Sequence, residues 1–216
     1  MRIGMLGTGM VGAGLSTKLV QLGHEVKMGS RSGDNPKAAE WAGKAGKNAS
    51  TGTFAEAAAF GEMVFNCTHG ADSMAALKMA GEQNLSGKIL VDVANPLDFS
   101  TGELKLTVSN TDSLGEQIQR AFPGAKVVKT LNTMGVEVMV NPSMLPGEHV
   151  AFMSGDDQGA KDKVAEVLRS FGWKSVIDLG GIKSARGAEA LLLLWIHLYG
   201  KMPDGRFNYN IVRAKQ

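Results

Sequence analysis

The feature that most constrains the fold is a glycine-rich hexapeptide, GTGMVG, at residues 7–12. It directly follows Arg2–Leu6, an apolar run typical of a buried strand, and it opens a helical pattern over Met10–Leu22. In such a strand–loop–helix unit the first glycine permits a tight turn, the second lets a pyrophosphate approach the backbone, and the third lets helix and strand pack closely. The phosphates then bind free N–H groups at the helix N-terminus. The hexapeptide therefore predicts a dinucleotide-binding unit.

Short, almost continuously apolar segments alternate with helical segments along most of the chain. Such segments indicate strands that are covered on both faces of a sheet. The predicted strands are Arg2–Leu6, Glu25–Met28, Met63–Cys67, Ile89–Val93, Lys126–Thr130, Val150–Met153 and Val176–Leu179. This alternation predicts an α/β fold with a doubly wound, mainly parallel sheet, the NAD(P)-binding Rossmann fold. We expect residues 1–216 to form one domain, in which residues 182–216 are a short C-terminal helical extension.

Four side chains are predicted to cap the N-termini of helices, namely Thr53, Ser113, Asp157 and Ser184. The first two are followed three residues later by glutamate, which is the spacing of a capping box. The helix after Ser184 is expected to end near Tyr199, and its segment from Ala190 to Tyr199 is apolar all round. A helix of that kind is typical of a buried or interface position. We therefore expect it to form the contact of a homodimer.

The second predicted strand ends in the sequence MGSRS, residues 28–32, without an acidic residue. An acid at this place would accept hydrogen bonds from the adenosine ribose of NAD but would repel a 2′-phosphate. Ser30 offers a hydroxyl and Arg31 a planar fork of donors that suits a phosphate dianion, and Lys37 can add charge. The segment favours NADP(H) over NAD as cofactor. The alternative is that Arg31 is an ordinary solvated loop residue.

The charge and cysteine content narrow the class of protein. The net charge is +2, from 23 basic and 21 acidic residues, which argues against a nucleic-acid or membrane-surface partner. Cys67 is the one cysteine, so no internal disulfide can form and a cytoplasmic location is expected. The longest apolar run, residues 190–196, is too short to span a bilayer. His24, His149 and His197 lack metal-ligand spacing, so no metal site is predicted.

Several segments occur together in a characteristic order. The glycine-loop segment IGMLGTGMVGAGLSTKLVQLGHEV is followed by GSRS, then by VDVANPL, VVKTLNT and FMSGDD, and finally by FGW and VIDLG. In this order and spacing the chain resembles, over almost its whole length, the NADPH-dependent oxidoreductases that use the deazaflavin coenzyme F420. The resemblance implies a usually dimeric Rossmann protein that transfers hydride between NADP(H) and F420 as co-substrate. A related domain in membrane metalloreductases passes hydride to a flavin.

The resemblance also implies which residues contact the cofactor. It assigns the glycine loop to the pyrophosphate, the end of the second strand to the 2′-phosphate, and the later strand ends to the riboses and nicotinamide. One departure is Asn35, which stands where the family often has a second basic residue. The implied cofactor-binding residues are Gly7, Thr8, Gly9, Met10, Val11, Ser30, Arg31, Thr68, His69, Asn95, Pro96, Asn132, Thr133 and Met134.

Hydride transfer between two rings needs positioning and exclusion of water more than reactive side chains, so we predict no catalytic triad. The catalytic residue is left unassigned, with His69 as a candidate proton donor. The alternative role for His69 is a hydrogen bond to a ribose or to the backbone.

Two other functions stay open at this point. One is an NADP-dependent reductase of a small carbonyl or imine. Relatives with that activity usually carry a long helical second domain, for which few residues remain after Leu179. The other is a non-catalytic NADP(H)-binding redox sensor, for which we see no partner-binding segment.

Overall fold

Eight strands form one sheet in the order β10-β9-β8-β5-β4-β1-β2-β3 in the computed structural model, which describes residues 1–98, 100 and 102–214. Neighbouring strands are parallel except for the antiparallel pair β8–β9. A small antiparallel pair, β6–β7, follows β5. The strands are β1 (Arg2–Leu6), β2 (Glu25–Ser30), β3 (Ala49–Thr53), β4 (Met63–Asn66), β5 (Ile89–Asp92), β6 (Leu97–Asp98), β7 (Lys105–Leu106), β8 (Lys126–Thr130), β9 (Val150–Ser154) and β10 (Ser175–Asp178). The predicted doubly wound, mainly parallel sheet is confirmed.

Helices cover both faces of this sheet and account for most connections between its strands. They are α1 (Met10–Gln21), α2 (Pro36–Ala45), α3 (Phe54–Phe60), α4 (Gly70–Ala80), α5 (Glu82–Leu85), α6 (Leu114–Ala121), α7 (Val136–Val140), α8 (Gln158–Phe171) and α9 (Ala185–Tyr199). The predicted C-terminal helix is α9, which packs against α6 and β9. Among the described residues, no helix has the length and the apolar character that crossing a bilayer requires.

Three of the four predicted N-caps are confirmed. The side chains of Thr53, Ser113 and Asp157 each accept a backbone N–H in the first turn of the helix that follows. The prediction for Ser184 is wrong, because its hydroxyl donates to the carbonyl of Gly181 and lies 2.8 Å from the hydroxyl of Ser154 instead of accepting a backbone N–H of α9. Ser184 ends a short 3₁₀ turn that runs directly into α9, so its backbone is already helical and its side chain cannot take the capping position.

The strands are apolar on both sides because both faces of the sheet are buried. Within β4, Met63 and Phe65 join the hydrophobic cluster on one face, whereas Val64 joins the cluster on the other. The order of the strands reverses at β1, which pairs with β2 on one side and with β4 on the other. In open sheets of this kind, ligands bind outside the carboxyl ends of the strands at such a reversal.

Candidate cofactor site

The first and third glycines of the GTGMVG loop are required by the fold itself. Gly7 has φ of +120°, and a Cβ there would lie 2.6 Å from the carbonyl oxygen of Cys67. A Cβ on Gly12 would overlap the carbonyl oxygen of Gly7. Any larger side chain at these positions would therefore separate α1 from the ends of β1 and β4.

The second glycine of the loop faces open space. No heavy atom lies within 4 Å of the position that a Cβ on Gly9 would take. The first N–H groups of any α-helix have no intrahelical acceptor. In α1 the N-cap is Gly9, which has no side chain to accept them. Met10 next to it is 84% exposed, and Val11 packs against the core. This helix end can accept an anion that approaches the backbone closely.

A cleft of about 480 Å³ lies above this helix end, outside the carboxyl ends of β1, β2 and β4. It brings together residues that are distant in sequence. The predicted cofactor contacts that line it are Gly7, Thr8, Gly9, Ser30, Arg31, Thr68 and His69. Its volume is in the range of ordinary small-molecule sites.

The end of β2 presents a cation at the rim of this cleft. The Arg31 side chain is 76% exposed, and its Nη2 atom lies 3.9 Å from Oδ2 of Asp72, in the first turn of α4. Ser30 is buried, and its hydroxyl donates to the carbonyl of Ser32. An acid is thus present in the cleft, although it comes from α4 rather than from β2. No spacing in the sequence indicates this role for Asp72, since it depends on how α4 meets β2.

Asn35 stands where a second basic residue is common in the resembled family, and it caps a helix instead. Its side-chain oxygen accepts the backbone N–H groups of Lys37 at 3.0 Å and Ala38 at 3.2 Å, so it caps α2. Lys37 lines an adjoining cleft with Thr8 and Gly9 and is not among the residues that line the main one. The structure therefore does not place Lys37 beside Arg31 in the main cleft.

The segment after β4 lies between the glycine loop after β1 and the loop after β5. Thr68 donates its hydroxyl to Oδ1 of Asn66 at 2.6 Å and lies 2.9 Å from the hydroxyl of Ser73. His69 is the N-cap residue of α4, and its side chain is exposed. A Cβ on the next residue, Gly70, would overlap the carbonyl oxygen of Asn95, so the loops after β4 and β5 are in direct contact.

The predicted nicotinamide-side residues lie beyond this contact, after β5 and β8. Asn95 and Asn132 join the two loops, because the side-chain amide of each donates to the other residue at 3.0 and 3.1 Å. The remaining residues of this group, Pro96, Thr133 and Met134, are buried. These residues form a wall next to the open cleft and do not line it, and their role as cofactor contacts stays a prediction.

Neither a reactive thiol nor a metal-binding group is found near the cleft among the described residues. Burial and the nearby Asp92 carboxylate raise the pKa of the Cys67 thiol, so Cys67 stays protonated and is a poor nucleophile. Within residues 1–98, 100 and 102–214, no three His, Cys, Asp or Glu side chains form a group that could hold a metal ion. The arrangement is suited to binding and orienting a dinucleotide.

Comparisons with known proteins agree with this geometry. The family model described as NADP oxidoreductase, coenzyme F420-dependent, matches residues 2–96. The F420-dependent NADP reductase of Methanothermobacter marburgensis is 27% identical over an alignment of 208 residues that covers 92% of each chain. The metalloreductase STEAP3 of Rattus norvegicus is 31% identical over 192 residues, 89% of this chain but only 36% of that protein. The chain thus spans about a third of the length of this metalloreductase.

A crystal structure provides a match over the full length. It is that of an inferred F420-dependent NADP reductase from Arthrobacter sp. FB24, which is 50% identical to this chain and superposes on it with a TM-score of 0.93. The match covers 98% of this chain and 99% of that one. The fold, the cleft and this level of identity agree, and the chain belongs to the family of coenzyme F420-dependent NADP oxidoreductases.

Proposed function

We propose that the protein transfers a hydride between NADP(H) and a deazaflavin of the F420 type. The observation that carries the cofactor half is the cleft in which the open end of α1 at Gly9 and the cation of Arg31 face one ligand volume. The deazaflavin half is supported by the names of the Methanothermobacter and Arthrobacter relatives. A flavin-type acceptor is the related possibility, in line with the metalloreductase match.

The chain's own residues would hold the cofactor at separate points along the cleft. The N–H groups at the start of α1 would bind the pyrophosphate. Arg31 would bind the 2′-phosphate, together with the Ser30 hydroxyl once it turns away from the carbonyl of Ser32. The Asp72 carboxylate partly offsets the charge of Arg31, so the phosphate has to compete with it for the guanidinium. Thr68 lies where a ribose would pass between the two halves of the site. When bound, NADP(H) supplies the ring that carries the hydride.

The nicotinamide ring would then lie at the same edge of the sheet as Arg31 but beyond the strand reversal, against the loops after β5 and β8. There the joined side chains of Asn95 and Asn132 give a rigid wall that can fix the plane of a ring. Reduced F420 releases a proton as well as a hydride, and the exposed cleft lets that proton pass to water. The proposal therefore requires no proton transfer by His69, which we assign to a ribose contact.

The reaction is tested directly by mixing the protein with NADP and reduced F420. We expect the absorbance of oxidised deazaflavin to rise together with that of NADPH in equal amounts. With NAD in place of NADP, the rate should fall roughly tenfold or more, because the contribution of a charge-assisted contact to the 2′-phosphate is lost. The same mixture with reduced flavin, or with NADPH and a small imine, measures the other acceptors.

Each outcome of this assay selects one function. Intact NADPH binding with turnover of flavin alone would replace the deazaflavin by a flavin, and turnover of the imine alone would favour the reductase of small substrates. Binding without any turnover would support a redox sensor. The reductase of small substrates has less support, because the Methanothermobacter and Arthrobacter relatives are named F420-dependent NADP reductases.

We further propose that the protein is a homodimer formed through α9. Its second half leaves large apolar side chains in solvent, with Leu194 49% and Tyr199 43% exposed. Light scattering should give twice the mass of one chain, and Leu194→Glu should shift the protein to the monomer by placing a charge in an apolar contact. Leu22→Glu is the matched control, since Leu22 is also partly exposed but lies at the end of α1. A monomer mass for the unmodified protein would refute this assignment.

A further inference from the structure

A buried lysine lies beneath the loops on the nicotinamide side of the cleft. Lys129, the fourth residue of β8, has no exposed side-chain surface, and its Nζ atom lies 2.8 Å from Oδ2 of Asp92 and 3.0 Å from Oε1 of Glu189. The same ammonium group donates to the carbonyl oxygen of Ala94, the residue before Asn95. We propose that Lys129 is a positioning residue, which fixes the loops that hold the nicotinamide half of the cofactor.

The first partner of Lys129 extends the network to the cleft. The other carboxylate oxygen of Asp92 accepts the side-chain N–H of Asn66 at 2.8 Å and the backbone N–H of Ala94 at 3.2 Å. The Asn66 side chain in turn accepts the hydroxyl of Thr68, which lines the cleft. Lys129 is thereby connected to the loop after β5 directly and to the loop after β4 through two side chains.

The second partner ties the network to the C-terminal helix. Glu189 belongs to α9, and its carboxylate accepts the backbone N–H groups of Leu114 at 2.8 Å and Gly115 at 3.0 Å, at the start of α6. The carbonyl of Ala188, the residue before it, accepts the side-chain N–H of Asn132 at 3.0 Å. The loop after β8 is therefore held by the same turn of α9 that binds Lys129.

The charge of the network is balanced locally. Burial alone would lower the pKa of Lys129, but the carboxylates of Asp92 and Glu189 raise it overall, so the lysine is a cation. The second negative charge lies at the N-terminus of α6, where the helix dipole and free N–H groups stabilise an anion. Every member of the network therefore has partners, as a buried polar group requires.

The position of the network indicates a role beyond holding the sheet together. Since Arg31 marks the adenosine side at β2, a dinucleotide that crosses the strand reversal has its second half over β4, β5 and β8. These are the three strands whose ends Asn66, Asp92 and Lys129 occupy or adjoin. The inference rests on the proposed binding of NADP(H), because without that cofactor there is no nicotinamide half to position.

The test compares two ligands in the full-length protein. NADPH spans the whole site, whereas 2′,5′-ADP carries only the adenosine half with its 2′-phosphate. In Lys129→Met the dissociation constant for NADPH should rise roughly tenfold, while that for 2′,5′-ADP should change less than about twofold, because only the second half loses its anchored loops. Turnover in the F420 assay should fall by about 10²-fold through misplacement of the ring. An unchanged ratio of the two dissociation constants would overturn the inference.

A second variant decides the question if Lys129→Met does not fold, since that change leaves two buried carboxylates without their cation. Glu189→Gln keeps the size of the side chain and leaves Lys129 paired with Asp92 alone. It should change the same ratio in the same direction, by about threefold. If Glu189→Gln binds 2′,5′-ADP normally and leaves the ratio unchanged, the lysine has no positioning role.

Lys161→Met is the matched control. Lys161 is also buried, but it pairs with Asp178 of β10 at 2.7 Å and lies outside the cleft, so its loss should lower stability without changing the ratio. Failure of the unmodified protein to bind NADPH would instead refute the proposed function. The two failures are therefore distinguishable.

Discussion

Replacing Arg31 with alanine is expected to weaken NADPH binding by about 10- to 100-fold and to leave NADH binding within about twofold. Hydrogen bonds to a charged group contribute about 1.5–3 kcal/mol each, and every 1.4 kcal/mol is about tenfold in affinity. The guanidinium is largely exposed at the end of β2 and lies 3.9 Å from the Asp72 carboxylate, so it is available to a phosphate. NADH lacks the 2′-phosphate, so the substitution removes no phosphate contact from it. Fluorescence titration with both cofactors measures the difference.

Lys37→Ala is the control for a loss of general positive charge. Lys37 lines a different cleft from Arg31, so its removal should weaken the binding of both cofactors slightly and to a similar extent. Equal losses of NADPH and NADH affinity in Arg31→Ala would show that Arg31 does not recognise the 2′-phosphate. The preference for NADP would then need another source.

Replacing Gly9 with alanine is expected to leave the fold intact and to abolish most cofactor binding. The added methyl group meets no protein atom within 4 Å, and an alanine N-cap in place of glycine costs less than about 1 kcal/mol. The methyl would, however, stand where the pyrophosphate has to approach the first turn of α1. Loss of one or two charge-assisted contacts there corresponds to a drop of roughly 100-fold for NADPH and NADH alike.

Gly12→Ala separates this effect from damage to the fold. Its Cβ would overlap the carbonyl oxygen of Gly7, so α1 would have to move away from β1 at a cost of about 1–3 kcal/mol. Thermal unfolding should therefore show a lower Tm for Gly12→Ala and little change for Gly9→Ala. Normal NADPH affinity in Gly9→Ala would contradict the placement of the pyrophosphate at this helix end.

The sheet was largely predictable because most of its strands carry a strong apolar signal. All seven predicted strands are present, with ends shifted by at most two residues. The strand that was not predicted, β3, has the sequence ASTGT and pairs only with β2 at the edge of the sheet. An edge strand with one free side needs no continuous apolar run, so periodicity gives little signal for it. The pair β6–β7 has two residues in each strand, which is too short for a period to be recognised.

The grouping of Gly7, Gly9 and Arg31 in one cleft was also predictable, because it follows from local motifs. Their places in the cleft depend on their positions next to β1 and β2. The opposite side of the site depends on pairs of residues that are far apart, such as Asp92 and Lys129, which are 37 positions apart. A lysine inside a strand that is otherwise buried on both faces is the signal that was available for this pair. Its partner Glu189 lies in α9, and nothing in the mostly apolar sequence of that helix indicated that Glu189 pairs with a lysine of β8.

The cap at Asn35 links cofactor selectivity to the stability of a neighbouring helix. A basic residue at this position would bring a second cation toward the proposed 2′-phosphate site, but it would remove the acceptor for the N–H groups of Lys37 and Ala38. Loss of an asparagine cap costs about 1 kcal/mol. Redesign of this protein for tighter NADP binding at residue 35 would therefore be a trade between affinity and folding, and a change of that single residue cannot improve both.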